Sequence, residues 1–150
     1  NIINQVSSGE IGQINVSGST NVAYSPNGGV IYIDASSVDT EATAGINDII
    51  SVALDMDNGK IYFAKNGTWV NSGDPTTGAT GTGSYAFPIN EGTAFFGNTT
   101  YSSTINAINF GSPSYAISSG NADGNGYGNF EYAVPSGYFA LCTKNLAEFG

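Results

Sequence analysis

Residues 48–69, DIISVALDMDNGKIYFAKNGTW, constrain the fold more than any other part of the chain. Two runs rich in Val, Ile, Tyr and Phe flank Asn58-Gly59, and that pattern is the strongest short-range signal for a β-hairpin. A two-residue type I′ turn requires positive φ at both central positions, which Asn and Gly tolerate. Pairing Asp57 with Lys60 sets Met56 against Ile61 and Leu54 against Phe63 on one apolar face. The other face then carries Asp55 opposite Tyr62 and Asp57 opposite Lys60, a cross-strand ion pair. A slip of one residue would turn both aspartates inward, so the choice of face is well specified. Lys65-Asn66-Gly67 forms a second turn, and Trp69 opens the next element.

The remaining sequence has the same character. Short β-rich runs alternate with clusters of Gly, Asn, Ser and Pro, the spacing of an all-β sandwich or barrel. Further strands are expected at residues 12–16, 30–33, 49–56, 60–64, 93–96, 107–110 and 137–143. Loops are expected at 71–84 and 112–129, the second long enough to be a binding loop or a mobile one. Few Leu, Lys, Arg or Glu residues are present to build helices, and no helix is expected.

Charge excludes several functions. The 150 residues carry 12 acids against 3 lysines (Lys60, Lys65 and Lys144), with no Arg and no His, for a net charge of -9. Three scattered cations cannot neutralise a phosphate backbone, which argues against nucleic-acid binding. Without His there is no Ser-His-Asp triad and no imidazole metal ligand. A lone Cys142 excludes a zinc cluster and an internal disulfide; in an apolar run it is expected to be a small core residue. No apolar run approaches the ~20 residues needed to span a bilayer, so membrane insertion is not expected.

Chemistry candidates are few. Asp55 and Asp57 lie two apart on a strand, so their side chains share a face roughly 7 Å apart. That spacing could suit a glycosidase pair, but the expected roles are a solvated strand residue followed by a turn aspartate, and no catalytic residue is assigned. Asn121, Asp123 and Asn125, followed by Gly126, imitate the first half of an EF-hand calcium loop. The closing acid is displaced, because Tyr132 stands where it belongs and Glu131 is one residue early. The expected reading is therefore a Gly/Asn-rich loop with no ion, and a calcium site at these residues is the alternative. Asn15, Asn66 and Asn98 begin N-x-Ser/Thr patterns that matter only in a eukaryotic secretory setting. Phe63, Phe87, Phe95, Phe96, Phe110 and Phe139 fall in strand patterns and are assigned to core or sheet faces. Trp69, Tyr101, Tyr115 and Tyr127 lie beside loops, where a ring offers a large contact area at small entropic cost. These four are the candidate ligand-binding residues; capping the ends of the fold is the alternative role.

The string VALDMDNGKIYFAKNGTW resembles the central hairpin of the SPRY domain, a β-sandwich of the concanavalin-like type. Tyr85-Ala86-Phe87-Pro88 resembles that family's aromatic-Pro strand entry, and Ile108-Asn109-Phe110-Gly111 its valine-asparagine-phenylalanine-glycine strand. The end, YAVPSGYFALCTKNL, is similar to the tails of SPRY-like domains in bacteriophage and environmental viral structural proteins, and Ala23 to Gly29 matches a turn of the same subgroup. The likeness covers residues 47–150, while residues 1–46 form a weakly matched part of the same domain. It implies an antiparallel jelly-roll sandwich whose first strands lie upstream of Asn1 or come from a partner chain.

It also implies a non-enzymatic module of a virion, in a tail fibre, head fibre or decoration protein, located outside cells and needing no cofactor. The implied partners are other virion subunits, a host-surface glycan or protein, and further copies of the chain. The alternatives are a purely architectural subunit and a concanavalin-like polysaccharide-degrading enzyme.

Overall fold

The computed structural model describes residues 2–5, 21–87, 96–98 and 105–150. The fold is mostly antiparallel β-sheet with little helix. The strands are β1 (Ile2–Gln5), β2 (Val22–Ser25), β3 (Val30–Ile33), β4 (Ser36–Thr40), β5 (Asp48–Asp55), β6 (Lys60–Lys65), β7 (Thr68–Trp69), β8 (Tyr85–Ala86) and β9 (Asn106–Asn109). Six of them form one sheet in the order β7-β6-β5-β1-β9, with β8 also pairing to β6. The other three form a sheet in the order β2-β3-β4. The expected strand at 12–16 lies outside the described residues, as do residues 93–95 of the strand expected at 93–96. β1, β2 and β4 were not among the expected strands, and β1 fills the place between β5 and β9.

The β5–β6 hairpin forms, in a different register. Asp55 pairs with Lys60, Leu54 with Ile61 and Val52 with Phe63. Four residues, Met56 to Gly59, make the turn, and only Gly59 of the Asn-Gly pair takes positive φ (62°). The Asp55 carboxylate is the reason. It accepts from the Asn58 N–H (3.0 Å) and the Asn58 Nδ2 (2.8 Å), which closes the longer loop around it. The shift is two residues, so each side chain keeps its face. The type I′ turn stands one hairpin later: Lys65 pairs with Thr68 across Asn66 (φ 48°) and Gly67 (φ 78°).

Ile50, Val52, Ile61 and Phe63, on one face of the large sheet, pack with Val22, Tyr24 and Ile31 of the small one. The Tyr24 and Phe63 ring centroids are 5.8 Å apart, and Phe63 meets Tyr85 at 6.1 Å. The opposite face of the same strands carries Ile49, Ser51, Ala53, Tyr62, Ala64 and Trp69. Its cover is the C-terminal stretch, where Phe130 and Ala140 form a second buried cluster against Ile49, Val134 and Cys142.

That stretch corrects two expectations. Residues 137–143 do not form a strand, and a helix, α1 (Thr143–Phe149), follows them. The backbone bonds a strand would give to a neighbour go to side chains instead. Ala140 N–H donates to Asp123 Oδ2 (2.8 Å), and the Ala140 carbonyl accepts from Asn145 Nδ2 (2.9 Å). Lys144, Leu146 and Glu148, with Ala147 among them, are good helix formers concentrated in a chain that otherwise has few Lys, Leu and Glu residues.

Candidate binding groove

Because β5 and β6 alternate side chains between their two faces, the face turned from the main core becomes a floor. Ser51, Ala53 and Ala64 are small, so the covering chain leaves a groove of about 1160 Å³ above them. One wall is the C-terminal stretch, with Tyr132, Pro135, Tyr138 and Phe139; the other is Trp69 and the turn around Pro75. The β5–β6 turn contributes Asp55, Asp57 and Asn58 at one end. A volume of this order is that of a small-ligand site.

Local chemistry fixes each wall. Trp69 is held edge-on by Tyr62 on the adjacent strand, with centroids 6.3 Å apart at 79°. Asp74 caps the 3₁₀ segment Pro75–Thr80, accepting from Thr76 N–H (2.9 Å) and Thr76 Oγ1 (2.6 Å). Those two bonds lower its carboxyl pKa. Asp55 is lowered likewise, first by the Asn58 side chain, with Lys60 adding a smaller Coulombic share. Tyr138 is pushed up to about 12 by burial, and next by the charge of Asp55. The hydroxyls of Ser51, Tyr62 and Tyr138 are buried without a hydrogen-bond partner among the described residues.

Behind the hairpin, Asp48 accepts from Gly45 N–H (2.8 Å) and Asn66 Nδ2 (2.6 Å) and pairs with Lys65 at 3.1 Å. The Gly45 bond is the largest cause of its lowered pKa. Lys65 also donates to the Thr43 carbonyl (2.6 Å), so this cluster braces the start of β5.

The residues singled out from sequence do not gather in one place. Trp69 lines the groove. Tyr127 lies against α1, its hydroxyl donating to Glu148 (2.7 Å) and its ring 4.9 Å from Lys144 Nζ. Tyr115 is partly buried, and burial raises its pKa. Tyr101 lies outside the described residues. Asp55 and Asp57 both line the groove, Asp55 as the last residue of β5 and Asp57 within the turn. Asp74, Tyr132 and Tyr138 were not singled out, since their share of the groove depends on where the C-terminal stretch and the Pro75 turn pack.

In the calcium-like loop, Asp123 is 7% exposed. Its Oδ1 accepts from the N–H groups of Asn125 and Tyr127, each at 2.9 Å, and its Oδ2 from Ala140 N–H and Asn145 Nδ2. Asn125 Nδ2 donates to Asn145 Oδ1 (2.9 Å), and Asn121 Nδ2 to the Glu131 carbonyl (2.9 Å). These contacts close the loop and tie it to α1. Among the described residues, no three His, Cys, Asp or Glu side chains are grouped to hold a metal ion.

No family model matches the chain, and no curated protein matches it.

Proposed function

We propose that this chain is a non-enzymatic recognition module of a virus particle, part of a tail fibre, head fibre or decoration protein that binds a host-surface glycan or protein. Its fold is then a SPRY-like sandwich of the concanavalin type, with the β5–β6 hairpin central to the larger sheet. The groove carries the reading: an open cleft lined by Trp69, Tyr132 and Tyr138 with side-chain acceptors at its rim. Rings beside neutral polar groups suit recognition, because they bury much area for few frozen torsions.

Trp69 is the only tryptophan, so its emission reports directly on the groove. Host envelope polysaccharide is expected to shift that emission saturably, with no reducing sugar released on long incubation. Sugar release would replace the reading with the enzymatic one.

The architectural reading has its own support. Phe139, Leu141, Leu146 and Phe149 stand 51–65% exposed within eleven residues, an apolar surface suited to a neighbouring subunit. Protection mapping on the assembled particle separates the two, because a receptor module keeps the groove open whereas a purely architectural subunit buries it.

A further inference from the structure

We propose that the groove selects a glycan bearing free amino groups over neutral and acidic sugars. This rests on the recognition reading above and narrows its ligand. Among the described residues, the charged side chains lining the groove are Asp55, Asp57 and Asp74, all acidic, and no lysine lines it. With a net charge of -9 on the whole chain, the field inside the cleft repels uronates, sulfates and phosphates and attracts ammonium groups. Trp69 and Tyr132 also line it, and aromatic rings attract cations and pack against a pyranose.

A second feature points to a hydroxyl-rich ligand independently of charge. Ser51 lies on the floor, 8% exposed, and its Oγ has no hydrogen-bond partner among the described residues. A buried hydroxyl without a partner is costly, and a polar group of a bound sugar relieves that cost.

A basic peptide shares the charge, but the floor disfavours it. An extended peptide gains affinity by adding a strand to a free sheet edge. Here the cleft presents the face of β5 and β6, whose backbone groups bond to each other from Ile50–Lys65 to Asp55–Lys60. What it presents is side chains, which suits a ligand recognised by hydroxyls and amines.

The test is a titration of Trp69 emission with a glucosamine tetramer, its fully N-acetylated form, an oligogalacturonate and an oligolysine, at a pH where the sugar amines are protonated. The glucosamine tetramer is expected to bind at least about tenfold tighter than the N-acetylated one, and the oligogalacturonate not to bind. In the double variant Asp57→Asn/Asp74→Asn, with an unchanged circular dichroism spectrum, that preference should fall to within about threefold. Equal affinity for both tetramers, or an unaltered preference in the double variant, overturns the amine selectivity and leaves the recognition reading standing. Tighter binding of oligolysine than of the glucosamine tetramer overturns the glycan assignment. An emission that responds to none of the four, nor to host envelope polysaccharide, overturns both readings.

Discussion

Gly67 lies directly beneath the ring of Tyr132: a Cβ built on Gly67 would stand 2.6 Å from Tyr132 Cδ1. The tip of the β6–β7 turn thereby sets how closely the C-terminal wall approaches the sheet, and so the width of the groove. Gly67 also holds φ at 78°, where an L side chain is strained. Gly67→Ala is therefore expected to destabilise the fold by about 2–3 kcal/mol and to move Tyr132 off the turn. Denaturant melts measure the first effect, and changed Trp69 emission in the folded variant reports the second. A variant as stable as the parent, with the same emission, would show that the wall does not rest on this turn.

The two Asn-Gly pairs of the hairpins should respond unequally to the same substitution. Asn66 takes positive φ, its Oδ1 accepts from Ile49 N–H (2.8 Å), and its Nδ2 reaches Asp48. Asn58 does not take positive φ, and its side chain reaches the half-buried Asp55 at the end of the same hairpin. Asn66→Ala should cost about 1.5–3 kcal/mol, and Asn58→Ala about 0.5–1 kcal/mol. Urea unfolding of the two variants checks the order; equal losses would mean that the turn assignments are wrong.

That contrast shows how far the sequence could be read. Alternation in β5 and β6 identified which side chains share a face, because a period of two depends only on the local pleat. It could not decide between loops of two and four residues, since that choice hangs on the Asp55–Asn58 hydrogen bonds. Residues 137–143 have strand-like composition, yet Asp123 and Asn145 capture the Ala140 backbone from 17 and 5 residues away. Propensity carries no information about such long-range partners. The groove was hidden for the same reason. Trp69 was visible as an aromatic beside a turn, whereas Tyr132 and Tyr138 join it only once the C-terminal stretch folds back.

Asp123 is expected to act as an acid-sensitive clasp. Burial alone would raise its pKa, but hydrogen bonds from Ala140, Tyr127, Asn145 and Asn125 outweigh that and lower it. A carboxyl depressed in the folded state stabilises the protein above its unfolded pKa of about 4, and that share is lost as pH falls through the folded value. Asp123→Asn replaces one acceptor oxygen with a donor facing donors, and should cost about 1–3 kcal/mol at neutral pH. It should also flatten the decline in stability below about pH 4. Because both oxygens already accept from N–H groups, calcium is expected to leave the melting temperature unchanged. A rise on calcium addition would mean that the loop rearranges to bind the ion.

At the alkaline end the buried phenols take over. Tyr85 donates to Asp39 Oδ2 (2.8 Å), and burial, that bond and the nearby charge of Glu41 all hold its pKa well above the ordinary value. Tyr24, which donates to the Ala42 carbonyl, is pushed up to about 12 by burial and then by Glu41 and Asp48. A phenol raised in the folded state contributes stability that is complete below its unfolded pKa of about 10. That contribution shrinks as pH climbs toward the folded value, because the unfolded chain releases its proton first. Tyr85→Phe should thus cost about 1 kcal/mol near pH 8, and the gap from the parent should narrow steadily above about pH 10. Late tyrosinate absorbance should also rise together with loss of the circular dichroism signal, since these phenols ionise as the core opens. A gap that stays constant from pH 8 to 11 would show that Tyr85 titrates alike in both states, and that the Asp39 bond does not hold its proton.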